Sequence, residues 1–355
     1  MSKRLKPYGE EYQKLVEQYH SLDHQGKLEL ASSYNVALDT LKNWISDRGD
    51  TAPKLMPTPA TMPPKIEVRS LPAISLIPLP QESKEEGEEG QVVLISDLQA
   101  GQQTSTFNSK VLRDRINWLG EKIMRLCLLH RKMRPIKKLW VCLLGDIIEN
   151  MNVPIPKLEE LEKVVYDQIF EVAVPILNDF LVSQLQLFEV VEVYAVRGNH
   201  GQLEGRRSLS AKTNWDTFVY KILELGLKNQ ERIKFHIETD NFYQVVDIMG
   251  KKCLLTHGDQ IPSYLGLPFY GIDRRVLRWN VSIPGGWEYC FMGHFHICNY
   301  VRPSGIPIYI NGTFASGALY PLYRLGLQDE PAQWSFFMSR KRGITASYEI
   351  NLLRR

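Results

Sequence analysis

Met292-Gly293-His294-Phe295-His296 is the stretch from which the rest of the chain can be read. Two histidines two apart on a strand project to the same side, and at a strand end both can reach one pocket. Four other polar pieces precede it in order: Ser96-Asp97-Leu98-Gln99, Leu144-Gly145-Asp146, Arg197-Gly198-Asn199-His200 and Thr256-His257-Gly258-Asp259. Each piece follows an apolar run with the length and composition of a buried strand: Val92–Ile95, Leu139–Leu144, Val190–Val196, Cys253–Leu255 and Tyr289–Met292. Asp, Asp, Asn-His, His and His-x-His therefore sit at strand ends, where loops on one edge of a sheet converge.

These residues and their order resemble the calcineurin-like metallophosphoesterases, whose pattern is Asp-x-His, Gly-Asp-x-x-Asp, Gly-Asn-His-Asp/Glu, His and Gly-His-x-His. The resemblance covers roughly 91–314. It implies a four-layer α-β-β-α sandwich, two divalent metal ions (Mn foremost, Fe or Zn as alternatives) and hydrolysis of phosphate esters by in-line attack of a metal-bridging hydroxide. Carried over residue by residue, Asp97 and His296 would hold the first metal, Asp146 would bridge, and Asn199, His257 and His294 would complete the second. His200 would contact phosphate or protonate the leaving oxygen, which suits an imidazole titrating near neutral pH. The donor set itself, carboxylate and amide oxygens with imidazoles, suits first-row divalent metals.

Three positions depart from the family pattern. Gln99 stands where a histidine is usual; its amide oxygen can ligate a hard metal but is a weaker donor. Glu149 replaces the second Asp of the Gly-Asp motif and is expected behind the ligands. Gly201 stands where an acid normally orients the histidine, leaving Asp259 or Glu204 as candidates for that role.

A chain of 355 residues favours a core with an appendage. Residues 1–50 read as three helices, about Glu10–Ser21, Lys27–Tyr34 and Leu38–Asp47, sharing Leu28, Leu30, Ala31, Val36, Leu41 and Trp44. Asn35 tolerates the left-handed turn between the last two. This spacing fits a helix-turn-helix, with Thr40, Lys42, Asn43 and Arg48 placed to touch DNA, or a module that docks a protein partner. The segment has seven Lys/Arg against eight Asp/Glu, not the basic excess usual in a DNA reader. Residues 51–90 form a Pro-rich and acidic linker, with Glu82–Glu89 expected to be solvated. The catalytic domain then spans 91–355.

In that domain Lys110–Met133 is expected to be an amphipathic helix whose charged stripe (Arg113, Arg115, Lys122, Arg125, Arg131, Arg134) is solvated. Leu158–Leu187 is expected to form one long helix or two, with Pro175 as the place of a bend. Ile233–Glu238 and Phe242–Met249 read as a strand pair turning at Asp240-Asn241. A tight hairpin is expected at Gly250-Lys251, and strand-like tail residues around Ser339–Gly343.

The five scattered cysteines read as reduced thiols of a cytoplasmic protein, and no run is long enough to span a membrane. Net charge of +3 permits nucleic-acid binding without arguing for it. Two basic pairs, Arg206-Arg207 and Arg274-Arg275, follow candidate ligands and could grip phosphates beside the scissile one; nearby aromatics (Tyr264, Phe269, Tyr270, Trp279, Trp287) could stack on bases or simply pack. A DNA phosphodiesterase, nearest in kind to the SbcD-like nucleases, is the leading expectation. A phosphatase or phosphodiesterase for nucleotides or phosphoproteins, and a catalytically silent DNA-binding or adaptor protein, are the alternatives.

Overall fold

Central strands buried on both faces, Glu89–Ile95 along its whole length, let two sheets pack face to face with helices outside them. In the computed structural model, residues 10–46, 87–151, 161–203, 210–263, 268–317 and 330–353 are described. The first sheet has the order β11-β10-β1-β2-β3-β4, with β1 Glu89–Ile95, β2 Ile136–Leu143, β3 Val190–Ala195, β4 Ile233–Ile237, β10 Ala332–Ser339 and β11 Gly343–Asn351. The second has the order β5-β6-β7-β9-β8, with β5 Tyr243–Ile248, β6 Lys251–Thr256, β7 Tyr289–Met292, β8 Asn299–Val301 and β9 Ile308–Ile310.

Odd and even positions of one strand serve different layers. On β1, Val93 and Ile95 face helices α4 (Ser109–His130), α6 (Val174–Gln184) and α7 (Trp215–Gly226). Val92 and Leu94 instead join Trp140, Cys142, Val246, Cys253, Leu255, Phe291 and Phe336 between the sheets. The outer face of the second sheet (Leu254, Cys290, Met292, Ile308, Ile310) is covered by Ile272 and Val276 of α8 (Phe269–Ser282). The result is the expected helix–sheet–sheet–helix sandwich. Because β1 to β4 are mutually parallel, and β6, β7 and β9 likewise, each set sends its C-terminal ends to one edge of its sheet.

Several expectations need correction. β4 and β5 are not a pair: β4 lies parallel to β3 in one sheet, and β5 pairs with β6 in the other, so Asp240-Asn241 lies on a crossover between sheets. The β5–β6 hairpin turns at Met249-Gly250, both at positive φ (53° and 74°), one residue earlier than expected. The tail is a strand pair, but Ser339 and Gly343 are its inner ends, paired with each other, and residues 340–342 form the turn between β10 and β11. Glu89 is not solvated; it is buried in β1, 2.6 Å from the Arg134 guanidinium. The helix begins at Val165, and a π-helical segment, Gln168–Ala173, stands between α5 (Val165–Asp167) and α6, which has Pro175 in its first turn. Proline lacks the N–H that an unbroken α-helix needs there.

The stripe on α4 is only partly solvated. Arg115 is buried and donates to the Phe314 carbonyl and, at 2.9 Å, to Ser316 Oγ; Arg131 donates to the carbonyls of Ile136 and Leu187. All five cysteines are free, four of them buried. His130 and His236 do not join the candidate site. His130 stacks on Phe337 and His236 on Tyr194. Among the described residues no helix is long and apolar enough to cross a membrane.

The chain divides into two compact units between Pro78 and Leu79. In the first, α1 (Glu10–Ser21), α2 (His24–Ser33) and α3 (Leu38–Ser46) bury Leu15, Ala31 and Leu41, with Leu30, Val36 and Trp44 partly buried. Leu28 is not in this core; it is 40% exposed. Asn35 takes the left-handed turn, at φ 53°. Thr40, Lys42 and Asn43 are exposed on α3, and Arg48 lies outside the described residues.

Candidate metal centre

Strained backbone marks the site. Five of the seven candidate ligands, Asp97, Gln99, Asp146, His294 and His296, have φ between 48° and 73°. Non-glycine residues held there each cost on the order of 1–3 kcal/mol, so the surroundings must fix them. They do so through the backbone. Beyond β1 and β2 the two loops continue the pairing, with Asp97 N–H to Gly145 O (3.0 Å), Gln99 N–H to Asp146 O (3.1 Å) and Ala100 N–H to Ile147 O (3.0 Å). The Asp97 carbonyl accepts from Phe314 N–H (3.0 Å) and Thr313 Oγ1 (3.1 Å). Close approach is also required of Gly198. A Cβ there would lie 2.1 Å from Asp146 Oδ1.

Two groups of side chains form at this edge. In the first, His296 Nε2 is 3.3 Å from Asp97 Oδ1 and 3.2 Å from the Gln99 amide nitrogen. Asp97 Oδ1 is buried and accepts no hydrogen bond. In the second, Asp146, His257 and His294 offer ligand atoms that all lie within 4.8 Å of one another. Asn199 Oδ1 sits 3.0 Å from His257 Nε2, which is also 3.0 Å from Asp146 Oδ2. The groups touch: His294 N–H donates to Asp97 Oδ2 at 3.1 Å.

The donors fit divalent metal. His257 Nδ1 lies 2.7 Å from the Leu144 carbonyl, which fixes the tautomer and aims Nε2 at Asp146 and Asn199. An orphaned carboxylate oxygen facing an imidazole, and a second carboxylate among two more, form a set of hard oxygen and borderline nitrogen donors. The buried groups act strongly on one another. Burial would raise the Asp146 carboxyl, but the charges of His257 and His200 hold it well below the usual carboxylate range. Burial would lower His257, but Asp146 raises it to about 10. Burial and then the nearby His257 charge push His294 down to about 3, keeping it a neutral donor.

His200 is held by a residue expected only to stand behind the ligands. Its Nδ1 lies 3.2 Å from Glu149 Oε2 and 3.2 Å from the Glu149 carbonyl, its Nε2 3.9 Å from Asp146 Oδ2, and its N–H donates to Asp146 Oδ1 at 2.8 Å. Glu149 is thus the acid beside this imidazole. Asp259 is not: its carboxylate lies 3.8 Å from Arg197 Nη1. Glu204, the other candidate, lies outside the described residues. An acid could not stand at 201 here, because Asn214 fills the space; a Cβ on Gly201 would lie 2.3 Å from Asn214 Oδ1.

One residue had no place in the sequence reading. Asp216, in the first turn of α7, is fully buried and accepts from three backbone N–H groups: Asp146 (2.9 Å), Ile147 (3.0 Å) and Gly198 (2.8 Å). It ties the loop carrying Asp146 to the loop carrying Asn199. Burial, and then the neighbouring Asp146 charge, raise its carboxyl to about 6. An acid in the first turn of a helix is unremarked in sequence, since it suits the helix dipole anywhere.

Of the candidate phosphate contacts, Arg274 and Arg275 are exposed on α8, and neither makes a contact with the candidate ligands; Arg206 and Arg207 lie outside the described residues, as does Tyr264. Trp287 is buried under α8, and Trp279 packs against Phe242 at 5.4 Å, so neither is available to stack on a base.

No family model matches the sequence, and no curated protein matches it. Among solved structures, the chain is similar to an archaeal phosphodiesterase (12% identity, 74% of this chain and 99% of that one, TM-score 0.34). It is also similar to an uncharacterized predicted phosphoesterase from Streptococcus pneumoniae (12%, 74% and 98%, TM-score 0.29) and to Vps29 from Entamoeba histolytica (16%, 74% and 99%, TM-score 0.33). These likenesses are too distant to assign a function to this chain.

Proposed function

We propose that the chain is a calcineurin-like metallophosphoesterase that hydrolyses phosphodiester bonds, with DNA as its substrate. The observation that carries this reading is the meeting, at one edge of two sheets, of Asp97, Gln99 and His296 with Asp146, Asn199, His257 and His294. In the proposal two divalent ions, Mn in first place and Fe or Zn as alternatives, are held by these two groups, with Asp146 shared. Such ions supply a nucleophile at neutral pH and neutralise phosphate charge.

The chain's own residues do the rest. Glu149 holds His200 through Nδ1, so that a proton for the leaving oxygen is carried at Nε2. Asp216 fixes the spacing of the Asp146 and Asn199 loops. The Arg197 guanidinium and the Asp259 carboxylate, 3.8 Å apart, bring opposite charges between the β3 loop and the β6 loop two residues from Asn199 and two from His257. Glu149→Gln is expected to lower kcat for a small diester by about 10–100-fold. Metal content measured by elemental analysis should stay at that of the unaltered chain; loss of metal would assign Glu149 to metal retention instead.

DNA is favoured by the α2–turn–α3 arrangement, with Thr40, Lys42 and Asn43 exposed on α3. Tethered through a Pro-rich segment, such a reader raises the local concentration of DNA at the hydrolytic site. Incubation of labelled linear DNA with the Mn-loaded chain tests the reading, and shortened products are expected. In the full chain, Lys42→Glu with Asn43→Ala should weaken DNA binding by on the order of tenfold, about 1.4 kcal/mol. Intact DNA beside a hydrolysed small diester would move the substrate to nucleotides or phosphoproteins.

A further inference from the structure

Helix α8 begins against the turn that follows His257. Ile261 N–H donates to the Gly258 carbonyl at 2.9 Å, and Gly271 lies so close to Pro262 that a Cβ would stand 1.9 Å from its carbonyl oxygen. The inward side of the helix, Gly271, Ile272 and Val276, is buried on the second sheet. At about 100° per residue the opposite side aligns Tyr270, Arg274, Arg278 and Val281, with Arg275 about 100° round from Arg274 at the edge of this face. All five are exposed, Tyr270 at 73%. Phe269, 55% exposed, meets the Tyr270 ring edge to face at 5.8 Å.

The three guanidiniums are unlike most arginines of this unit. Arg113, Arg125 and Arg134 each lie within 3.5 Å of a carboxylate, and Arg131 and Arg232 donate to backbone carbonyls. Among the described residues, Arg274, Arg275 and Arg278 have no such partner. Arg274 and Arg278, one turn apart, repel each other, which costs the helix a few tenths of a kcal/mol. Unneutralised charge beside exposed aromatic rings is the combination that binds phosphates and stacks bases.

We propose that this face of α8 binds single-stranded nucleic acid, with phosphates on Arg274, Arg275 and Arg278 and a base stacked on Tyr270. A single strand is favoured over a duplex because its base faces are open to the ring. A membrane surface is disfavoured because the main apolar side of α8 is used against the sheet, and the exposed Phe269, Tyr270 and Val281 are interrupted by guanidiniums rather than forming a continuous apolar face. The inference rests on the phosphodiesterase reading only in making that strand a substrate.

The test is fluorescence anisotropy of a labelled oligothymidylate of roughly 20 nucleotides, longer than one binding site, with the full chain in EDTA at several salt concentrations. Arg274→Glu with Arg278→Glu should raise Kd by about 30-fold or more. It should also flatten the log–log salt dependence by about 1.4, two phosphate contacts on a single strand. Tyr270→Ala should raise Kd by about tenfold, and Arg274→Lys with Arg278→Lys should stay within about threefold of the unaltered chain.

Unchanged Kd and slope in the Glu variant would overturn the proposal. So would duplex DNA that loses affinity in the Glu variant while Tyr270→Ala has no effect on either DNA. Phosphatidylserine vesicles that lose binding in the Glu variant while the oligonucleotide does not would reassign the face to membranes. The assay contains no hydrolysis. Failure here therefore leaves the phosphodiesterase reading standing, and a chain without diester turnover leaves this binding result intact.

Discussion

Asp146→Asn is expected to reduce turnover of a small phosphodiester by at least about 10³-fold, equivalent to about 4 kcal/mol of barrier. The side chain is nearly isosteric, so packing changes little, but the charge disappears where it is most used. Asp146 Oδ2 faces His257 Nε2 at 3.0 Å and His200 Nε2 at 3.9 Å, while Oδ1 accepts the His200 N–H. An amide presents one neutral oxygen and an NH2 that cannot ligate. If Asp146 is shared between two ions as proposed, at least one metal equivalent should be lost on dialysis. The measurement is kcat/KM for the diester beside metal content. Unchanged turnover would remove Asp146 from the bridging position and with it the pairing of the two groups.

Asp216 carries the second large effect. Asp216→Ala leaves three buried N–H groups without an acceptor, at about 1–3 kcal/mol each, a loss comparable with the whole stability of many domains. That variant is expected to melt far below the unaltered chain or not to fold. Asp216→Asn is the more informative change. Its single oxygen can serve the Asp146 and Gly198 donors or the Ile147 donor, but its NH2 must then face a backbone N–H. The loops carrying Asp146 and Asn199 should shift by a few tenths of an ångström. Mn affinity measured by calorimetry should fall about 10–100-fold, as when other groups that orient ligands are removed. A lower melting point with unchanged Mn affinity would make Asp216 a packing residue with no bearing on the site.

The β-strands that end at candidate ligands were legible because each is an apolar run closed by a polar residue with a distinct chemistry. Strand partnership was less so. Phe242–Met249 and Ile233–Glu238 carry the same half-buried alternation whether they form one hairpin or edge two sheets, and Asp240-Asn241 serves a crossover as readily as a turn. β8 was missed because three residues, Asn299–Val301, give no periodicity. Arg115 looked like its neighbours on α4, since charge pattern alone does not reveal that the Phe314 carbonyl awaits it.

At the site, the motifs gave the residues that converge but not the ones that hold them. Glu149 stood out only as a departure from a pattern. Its longer side chain reaches His200 where the acid after Asn-His is replaced by Gly201, and Asn214 occupies the space. Asp216 left no trace beyond an acid near a helix start. Its role depends on three backbone N–H groups brought together from two loops, a relation that exists only after folding.

Whether the two groups of donors form one working metal centre is decided by hydrolysis of bis-p-nitrophenyl phosphate by metal-stripped protein before and after return of Mn²⁺. Negligible turnover is expected in the stripped protein and restoration on adding Mn²⁺, saturating near two equivalents, the number a shared-carboxylate site holds. No turnover with Mn²⁺, Fe²⁺ or Zn²⁺ in a folded chain would contradict a working centre, and would leave a metallophosphoesterase-like scaffold whose Gln99 and Gly201 mark a site turned away from catalysis.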